Sequence, residues 1–554
     1  MLKHSLGARS PIFRLETDSL RAIFEFVADV DRPHPDSPSV VKCWMKIGHI
    51  CRLWRLILLD MPALWARDLC VFGWHTSFDM ILGRARDAPL CLDFFPNLRH
   101  GGLEDAPSDL IARMAPLVAR ARELSYFVEA SKDYDTIVAA ISQHTSSLKE
   151  LTVDWYMPKT ADATWHPVRL PPDSCINYLE MQNIIIFPPL NGCLTRLIIN
   201  LISLPDEIRF PHHEIVDILL GNPALELVEM RNAMREGHTQ LGRPRIVLPK
   251  LAHFGVQRNA ARACPSTFSL LALLDLPAVT NLRIIESHVS TRAQVSEGFD
   301  AVLRACSTSP ILASPTISLH VDREWTFRTQ LPPMLKVSIS STPCAISPSG
   351  NSIHPVLILS TAPDSHAELE RTESNAMLMA VLHQLEDVGL PDRVVRLSWA
   401  PDPSEAEPEY WSTVLCPFPN VSYLTVRGNT NAIINSLDTL RRCDDDVLVV
   451  PHLSCLEISH DKVLEEFPWS AHFEVMLHER AGAGRPIREV RLGKPLLKPA
   501  PHETSLPRYV AVIDYMEAIA RRLDASMVVQ EWSESWARGA LGTAFILDYK
   551  DSSV

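Results

Sequence analysis

A short apolar signature recurs along most of the chain and restricts the folds open to it. In each copy two apolar residues lie three positions apart, and a third follows two positions later. The copies are Leu148, Leu151 and Val153; Leu194, Leu197 and Ile199; Leu225, Val228 and Met230; Leu251, Phe254 and Val256; Val279, Leu282 and Ile284; Val421, Leu424 and Val426; Leu453, Leu456 and Ile458; and Ile487, Val490 and Leu492. The spacing of the last two positions is that of a strand with one buried face. The copies recur at irregular intervals of about 30 residues, which is typical of long structural repeats.

Helix-like runs precede several of these strands. Ile215, Ile218 and Leu219 lie at helical spacing before the turn at 221–223, and the next strand follows directly. Helix, turn and strand is the order that a stacked solenoid requires, and the strands of such a solenoid pair in parallel. The signature is weaker between Ile285 and Arg393, where we still expect strands at 317–320, 335–339 and 356–359.

These patterns predict an α/β fold, in which an N-terminal helical module precedes an irregular leucine-rich-repeat-like solenoid with a parallel sheet. The predicted divisions are 11–70 for the module, 71–114 for a linker helix segment, 115–500 for the solenoid and 501–554 for a C-terminal capping segment. Helical spacing from Tyr509 to Leu523 supports the cap. The alternative is an ordinary α/β domain whose leucine-rich strands only imitate the repeat.

The stretch from Leu15 to Trp65 has the spacing of a compact helical module. One stripe of a first helix carries Leu20, Ile23, Phe24 and Val27. The segment from Asp31 to Ser39 holds three prolines and must be a loop. Helical spacing then resumes at Val41, Trp44, Ile47, Ile50, Cys51, Trp54, Ile57 and Leu58, and Pro62 ends this run. Two or three helices in about 50 residues bury little core, so we expect the module to lean on a partner or a neighbouring domain.

Two motifs in this stretch resemble the F-box as it occurs in the large F-box families of mushroom-forming fungi. Cys51-Arg52-Leu53-Trp54 matches the CRxW core, and Pro62-Ala63-Leu64-Trp65 matches the PxLW ending. A Pro-rich loop interrupts the motif in that family as it does here. The segment from Gly73 to Leu90 also resembles the one that follows the box. The family's opening Leu-Pro pair is incomplete, because Leu15 is followed by Glu16.

The resemblance implies that the module docks onto the Skp-type adaptor of a cullin-based, SCF-type ubiquitin ligase. The rest of the chain would then select a target protein for ubiquitin-dependent degradation. In the F-box family, certain apolar positions bind the adaptor or support the surface that binds it. By position, the residues that match them here are Leu15, Leu20, Ile23, Phe24, Ile47, Ile50, Cys51, Trp54 and Leu58. The alternative for each position is the core of a small helical bundle, since an apolar stripe is more often core than interface.

Contacts to a target protein are predicted from the strands. Side chains that alternate with the buried apolar positions face out of one surface of a parallel-sheet solenoid. This alternation nominates Asp154, Glu229, Arg231, Gln257 and Arg427, together with Thr152, Asn200 and Thr425. The alternative for each is a solvated strand residue without a binding role.

Composition and cysteine usage restrict the partners and the compartment. A net charge of −13 argues against binding to a phosphate backbone, which requires clustered Lys and Arg. The 12 cysteines form no CxxC pair and are expected to be small buried hydrophobes in a reducing compartment. No secretory signal opens the chain, and the most apolar candidate for a membrane span, Ile184 to Leu204, is interrupted by prolines and an arginine. We therefore expect a cytoplasmic or nuclear protein that binds neither nucleic acid nor membranes.

The motifs of common catalytic sites are missing from the sequence. The chain has no Gly-rich phosphate loop and no nucleophile elbow. His212-His213-Glu214 lacks a third metal ligand at a supporting spacing. Three neighbouring aspartates would disfavour the thiolate of Cys443. We predict no catalytic residue, no cofactor and no metal site.

Two hypotheses of different class follow. In the first, the protein is a non-catalytic, substrate-recruiting subunit whose F-box binds the adaptor and whose repeats bind a target. In the second, it is a repeat scaffold for protein–protein interaction whose F-box is vestigial, as Glu16 in place of proline allows. An enzyme is a distant third hypothesis.

Overall fold

The structure is a computed structural model in which helices and a strand-rich region alternate along the chain. The residues that it describes are 12, 15–33, 43–72, 76–93, 110–128, 131–143, 146–155, 167–235, 244–258, 266–286, 292–314, 317–324, 334–341, 356–361, 381–387, 389–399, 408–428, 430–441, 443–444, 447–460, 470–493, 518 and 526–529. The chain divides into two compact units, Met1–Gln240 and Leu241–Val554. The domain divisions that we derived from sequence stay predictions.

Short helices open the first unit. They are α1 Thr17–Val30, α2 Arg52–Leu59, α3 Pro62–Arg67 and α4 Thr76–Ala85, with 3₁₀ helices at Trp44–His49 and Leu69–Phe72. The Sγ atom of Cys51 caps α2 by accepting a hydrogen bond from the Trp54 backbone N–H at 3.4 Å. Pro62 separates α2 from α3 and occupies the first turn of α3, where a missing N–H costs nothing. The predicted loop begins with non-helical residues from Asp31, and positions 34–39 lie outside the described residues.

A parallel sheet follows the helices within the first unit. The strands of this unit are β1 Leu90–Asp93, β2 Ala121–Val128, β3 Glu150–Trp155, β4 Val168–Arg169, β5 Tyr178–Gln182, β6 Ile186–Phe187, β7 Arg196–Asn200 and β8 Leu227–Arg231. The sheet order is β1-β2-β3-β5-β7-β8, and every pair in it is parallel. Strands β4 and β6 form a separate parallel pair. The helices between the strands are α5 Leu110–Met114, α6 Ser131–Gln143 and α7 His212–Gly221, with 3₁₀ helices at Ala115–Arg120 and Asp206–Ile208.

The second unit is built in a similar way. Its strands are β9 Ile246–Val247, β10 His253–Arg258, β11 Leu274–Asp275, β12 Asn281–Glu286, β13 Ile317–Glu324, β14 Met334–Ser341, β15 Val356–Thr361, β16 Val394–Trp399, β17 Tyr423–Gly428, β18 Cys443–Asp444, β19 Val447–Leu448, β20 Cys455–His460, β21 Glu489–Gly493 and β22 Ser526–Val529. Its helices are α8 Ser266–Leu273, α9 Arg292–Ala305, α10 Pro310–Ala313, α11 Pro408–Leu415, α12 Thr430–Arg441 and α13 Ser470–Gly482, with a 3₁₀ helix at Pro391–Arg393 and helical residues at 381–387. The main sheet order within this unit is β10-β12-β15-β14-β13-β16-β17-β20-β21-β22.

One strand of the second unit departs from the predicted parallel arrangement. Strand β14 runs antiparallel to both of its neighbours, β13 and β15. Strands β13 and β14 are consecutive in sequence and pair directly. The nine positions 325–333 that separate them are fewer than the dozen or more residues that a crossover between parallel strands requires. The prediction of a wholly parallel sheet is therefore wrong at β14. The fold is α/β with a mostly parallel sheet.

The recurring apolar signature fills the core beneath the strands. All of its residues whose side chains are described are buried; the side chain of Leu492 lies outside the described part. The register aligns successive copies, so that Leu151 lies opposite Leu179, Leu179 opposite Leu197, and Leu197 opposite Val228. The structure also contains three buried copies that we did not identify from sequence: Ala121, Leu124 and Tyr126; Ile176, Leu179 and Met181; and Val394, Leu397 and Trp399.

A repeated backbone contact leads into the strands. The carbonyl oxygen of Lys149 accepts hydrogen bonds from two successive N–H groups, those of Asn177 and Tyr178, at 2.8 and 3.1 Å. The carbonyl oxygens that accept from two successive N–H groups in the same way are those of Asn177, Thr195, Ala252, Ser422 and Ser454. Because the same contact recurs at the entry of each of these strands, it holds them in one common register.

The C-terminal segment is described at few positions. The predicted capping helix from Tyr509 to Leu523 lies outside the described residues, except for Ala518, which is helical. Strand β22 pairs in parallel with β21.

Candidate protein-binding surface

An aromatic core holds the helices of the module together. The ring centroids of Phe24 on α1 and Trp54 on α2 lie 5.2 Å apart, and those of Trp44 and Trp65 lie 5.0 Å apart. Tilted and edge-to-face ring pairs at such distances stabilise a core beyond the area that they bury. The Trp44 Nε1–H donates to Asp68 Oδ2 at 2.7 Å. The module therefore has a closed core of its own.

The buried carboxylate of Asp68 is compensated by Arg67. The Nε and Nη2 groups of Arg67 donate to the two Asp68 oxygens at 3.2 Å each, and Nη2 also donates to the Ala28 carbonyl at 2.8 Å. Burial alone lowers the pKa of Arg67, but the hydrogen bond and charge of Asp68, with the charge of Asp29, raise it overall. A buried charge requires partners of this kind. The contact ties α3 to the last turns of α1.

Helices α1 and α2 run in opposite directions along their contact. Arg21, near the start of α1, donates to Asp60 just past the end of α2 at 2.8 Å. One turn later on α1, Phe24 meets Trp54, which lies in the first turn of α2. The two helices are therefore antiparallel where they pack.

Six apolar side chains form an uncovered surface beside this contact, which we call the apolar face. They are Ile23, Phe26, Val30, Ile50, Leu53 and Leu56, and they are between 37% and 72% exposed. Ile23 and Phe26 lie one position before and two positions after Phe24, and Leu53 and Leu56 stand in the same relation to Trp54. At about 100° per residue, and with the helices antiparallel, these positions emerge on the same side of the helix pair. Large apolar side chains exposed together on one side of a helix pair mark a candidate site of interaction.

Charged residues also lie on the surface of α1. Arg21 forms ion pairs with Asp18 at 3.5 Å and with Asp60 at 2.8 Å. Arg67 forms an ion pair with Asp29. Exposed pairs of this kind contribute little to stability.

The nine adaptor-binding positions predicted from sequence divide into two groups. Leu15, Ile23 and Ile50 are exposed, and Cys51 is half-buried. The buried positions are Leu20, Phe24, Ile47, Trp54 and Leu58. The buried group lies in the core of the module, where its contribution to binding would be to support the surface rather than to contact a partner.

Four residues of the apolar face were missed in the sequence reasoning. They are Phe26, Val30, Leu53 and Leu56. A second stripe, at i, i+3 and i+7 from Ile23, was present on α1 as a signal. Periodicity reveals both stripes, but it cannot say which one the chain itself covers.

All five predicted target-binding residues of the first unit lie in two neighbouring rows across its sheet. Asp154 lies opposite Gln182, which is followed across the sheet by Asn200 and then Arg231. The next row is formed by Thr152, Glu180, Ile198 and Glu229. All of these side chains are half-buried rather than fully solvated. The structure therefore brings together five predicted residues, Asp154, Arg231, Glu229, Thr152 and Asn200.

Strand β5 adds polar groups to these rows that the sequence reasoning missed. The Tyr178 hydroxyl donates to Glu180 Oε2 at 2.6 Å, and Gln182 Nε2 donates to Glu180 Oε1 at 3.2 Å. Burial, together with the charge of Glu180, raises the pKa of Asp154 to about 6. Burial and the hydrogen bond to Glu180 likewise raise the pKa of Tyr178. Recognising the copy of the signature at Ile176 would have revealed this strand.

The predicted target-binding residues of the second unit are not brought together in one place. Gln257 is half-buried on β10, in register with Ile285 on β12. Arg427 lies on β17 opposite Ser459, and its side chain lies outside the described part. Thr425 is buried, contrary to the expected solvated position, and its hydroxyl donates to Glu457 Oε2 at 3.3 Å.

Features that would indicate a reactive cysteine, a metal site or a membrane span can be checked among the described residues. Burial raises the pKa of the thiols of Cys91, Cys306 and Cys455 to about 12 in each case. In the described part of the chain, no group of three or more His, Cys, Asp or Glu side chains is arranged to hold a metal ion. His212 lies buried at the start of α7. None of the helices that the structure describes is both long enough and apolar enough to cross a bilayer.

Comparison with known proteins gives the chain no established family. No protein-family model matches it, and no curated protein matches its sequence. The F-box resemblance therefore depends on the residues of this chain, above all on Cys51-Arg52-Leu53-Trp54 and Pro62-Ala63-Leu64-Trp65.

Proposed function

We propose that this protein is a non-catalytic, substrate-recruiting F-box subunit of a cullin-based, SCF-type ubiquitin ligase. The observation that carries the proposal is the apolar face. The helical module has its own aromatic core and nevertheless exposes six large apolar side chains beside it. In the proposed complex the Skp-type adaptor covers this face.

The size of the apolar face suits the centre of a stable interface. Fully burying one large apolar side chain stabilises by about 1.5–3 kcal/mol. Association loses several kcal/mol in translational and side-chain freedom, so one or two exposed residues could not hold a partner. Five of these residues lie on the packed helices α1 and α2, and Ile50 lies just before α2. The six can form the central cluster of an interface, with charged residues of α1 at its rim.

The remainder of the chain is proposed to be a leucine-rich-repeat-like solenoid that holds a target protein. Three features support this proposal: the buried signature, the mostly parallel pairing and the repeated carbonyl contact at the strand entries. The half-buried polar rows of the first unit would contact the target. Ubiquitin transfer would be carried out by the partners, and tethering would raise the local concentration of target lysines near the conjugating enzyme.

Adaptor binding tests the proposal directly. The full chain is mixed with a purified Skp-type adaptor, and the affinity is measured for wild type, Leu53→Asp and the control Ile202→Asp. Leu53 and Ile202 are matched in exposure, at 47% and 49%, but Ile202 lies far along the sequence from the module. We expect Leu53→Asp to weaken binding at least about tenfold, since it places a charge in the interface, and Ile202→Asp to leave it unchanged.

The scaffold hypothesis predicts a different result. Glu16 stands at the N-cap of α1 without a side-chain cap, at the position where the family has proline. If the folded wild-type chain binds no Skp-type adaptor, the F-box is vestigial and the ligase role is overturned. If wild type and Leu53→Asp bind the adaptor equally well, the apolar face is not the surface that binds it.

A further inference from the structure

Eight residues on four neighbouring parallel strands of the second unit share one side of the sheet, and we call them the strand grid. The register places Arg396, Tyr423, Cys455 and Glu489 in one row, and Ser398, Thr425, Glu457 and Arg491 in the next. The residues between the two rows are buried on the other side: Leu397, Leu424, Leu456 and Val490. Successive residues of a strand point to opposite faces, so the eight side chains lie together.

Tyr423 is the fixed centre of the strand grid. Its hydroxyl donates to Glu457 Oε2, which also accepts from Thr425 Oγ1 at 3.3 Å. The Cζ atom of Arg396 lies 4.0 Å from the Tyr423 ring centroid, and that of Arg491 lies 5.3 Å from it. Both distances are within the range of cation–π attraction. Both guanidinium groups therefore pack against the same ring.

Several hydrogen-bond donors of the strand grid have capacity left for a ligand. Arg491 donates to Glu489 Oε1 through Nε at 2.8 Å, which leaves its terminal Nη groups outside that bond. Arg396 is exposed, and within the described residues its guanidinium has no carboxylate partner. The hydroxyl of Ser398 is more than nine-tenths buried, and its Oγ has no hydrogen-bond partner in the described part of the chain. A buried hydroxyl without a partner costs stability, so a ligand that pairs with it is favoured.

The charge of the strand grid selects the ligand. Its two carboxylates are already engaged, Glu489 by Arg491 and Glu457 by the hydroxyls of Tyr423 and Thr425. Arg396 is the cation of the grid that lacks an anion among the described residues. The two arginines and two glutamates of the strand grid sum to a formal charge of zero, so an anion that pairs with Arg396 is also repelled by both glutamates. This repulsion is weaker for a carboxylate, with one negative charge, than for a phosphate group, with close to two.

We propose that Arg396, Ser398 and Arg491 bind the carboxylate of an aspartate or glutamate side chain presented by a partner polypeptide. Planar guanidinium groups match a carboxylate in geometry, and the Tyr423 ring holds them in place before the ligand arrives. The site is formed by residues of the second unit alone and does not depend on adaptor binding by the helical module.

Peptide binding by the full-length chain tests this site. The probe is a fluorescent hexaglutamate peptide with blocked ends, and hexaglutamine with the same label is the uncharged control. Wild type is expected to bind hexaglutamate and not hexaglutamine. Arg396→Gln should weaken binding about tenfold, since it removes a charge-assisted hydrogen bond. Arg485→Gln changes another exposed arginine of the same unit, outside the strand grid, and should leave binding unchanged.

Each other outcome contradicts the proposal. Equal binding of hexaglutamate and hexaglutamine by wild type would overturn it without any variant. Equal weakening by Arg396→Gln and Arg485→Gln would show attraction to overall charge rather than a site. Inorganic phosphate that displaces the peptide at concentrations where acetate does not would assign the site to phosphate. If hexaglutamate with a free C-terminus binds and the blocked peptide does not, the site recognises the carboxylate at the end of a chain. Circular dichroism melts of both variants check that they fold.

Discussion

The helical module and the strands that follow it in the first unit differ in how completely their apolar side chains are buried. In the strands, the residues of the signature are almost completely covered, as at Leu151, Leu179 and Leu197. In the module, Leu20 and Phe24 are covered, whereas their helical neighbours on the apolar face are not. A strand has two faces, and the helices of this fold cover one of them. A helix can carry apolar residues on several stripes, and two packed helices cover only the stripes between them. The uncovered stripe is therefore what remains for a partner.

The largest effect is expected from breaking the core of the module. Trp44→Ala removes a fully buried ring that packs against Trp65 and also removes the donor to Asp68. We expect a loss of about 3–5 kcal/mol in the free energy of unfolding of the module, measured by chemical denaturation of the full chain. Trp44→Phe keeps an aromatic ring and should lose less. A loss below about 1 kcal/mol for Trp44→Ala would show that the module has no closed core.

The signature in the strands should respond almost as strongly. Leu197→Ala leaves a cavity in the row that Leu197 shares with Leu179 and Val228. We expect a loss of about 2–5 kcal/mol, measured in the same way. The exposed neighbour Arg196 serves as the control, since Arg196→Ala removes no buried group. If the two changes have similar effects, the sheet is not packed on one face as described.

A smaller, pH-dependent effect is expected at the polar rows of the first unit. The pKa of Asp154 is raised from 3.8 to about 6 by burial and by Glu180, so the folded state retains a proton that the unfolded state has lost between these values. Stability therefore falls as pH rises through this window, and the penalty is complete above about pH 6. Asp154→Asn should gain about 1 kcal/mol relative to wild type between pH 4 and pH 7, after allowance for solvent screening. Denaturation curves of wild type and Asp154→Asn at pH 4 and pH 7 measure the difference in their free energies of unfolding. If this difference is the same at both pH values, the pKa of Asp154 is not raised.

The smallest effect on folding is expected on the apolar face. Leu56 is largely exposed on α2, so Leu56→Ala should change the free energy of unfolding by less than about 0.5 kcal/mol. The buried Leu58, two positions later on the same helix, is the matched control and should lose about 2–5 kcal/mol on the same substitution. A loss above about 1 kcal/mol for Leu56→Ala would mean that the chain itself covers the apolar face. The contrast between the module and the strands would then not hold.

The strands were predictable to the extent that their pattern is local. Eight copies of the signature were identified because an apolar triplet can be recognised without knowing its neighbours. The copies at Ala121 and Val394 end in the aromatic residues Tyr126 and Trp399. The copy at Ile176 begins only 18 residues before the one at Leu194 and was not separated from it. The antiparallel direction of β14 could not be predicted, because alternation is the same in strands of either direction.

The candidate surfaces were only partly predictable, for the same reason. Ile23 and Ile50 were nominated by motif position and are exposed, but Phe26 and Leu56 were not nominated. Asp154 and Arg231 were nominated separately, and only the register shows that they share a row. Of the strand grid, Thr425 alone was predicted to face outward, and the grid itself was not foreseen, since Arg396 and Arg491 are distant in sequence.

The sequence by itself determined the local elements of this protein: where prolines interrupt helices, which strand positions are apolar, and which residues form the CRxW and PxLW motifs. These follow from backbone sterics and side-chain periodicity within a few residues. Only the tertiary structure decided which stripe of α1 stays uncovered, which way β14 runs and which polar side chains surround Tyr423. Those outcomes depend on packing and strand register between segments far apart in the chain, and periodicity carries no information about either.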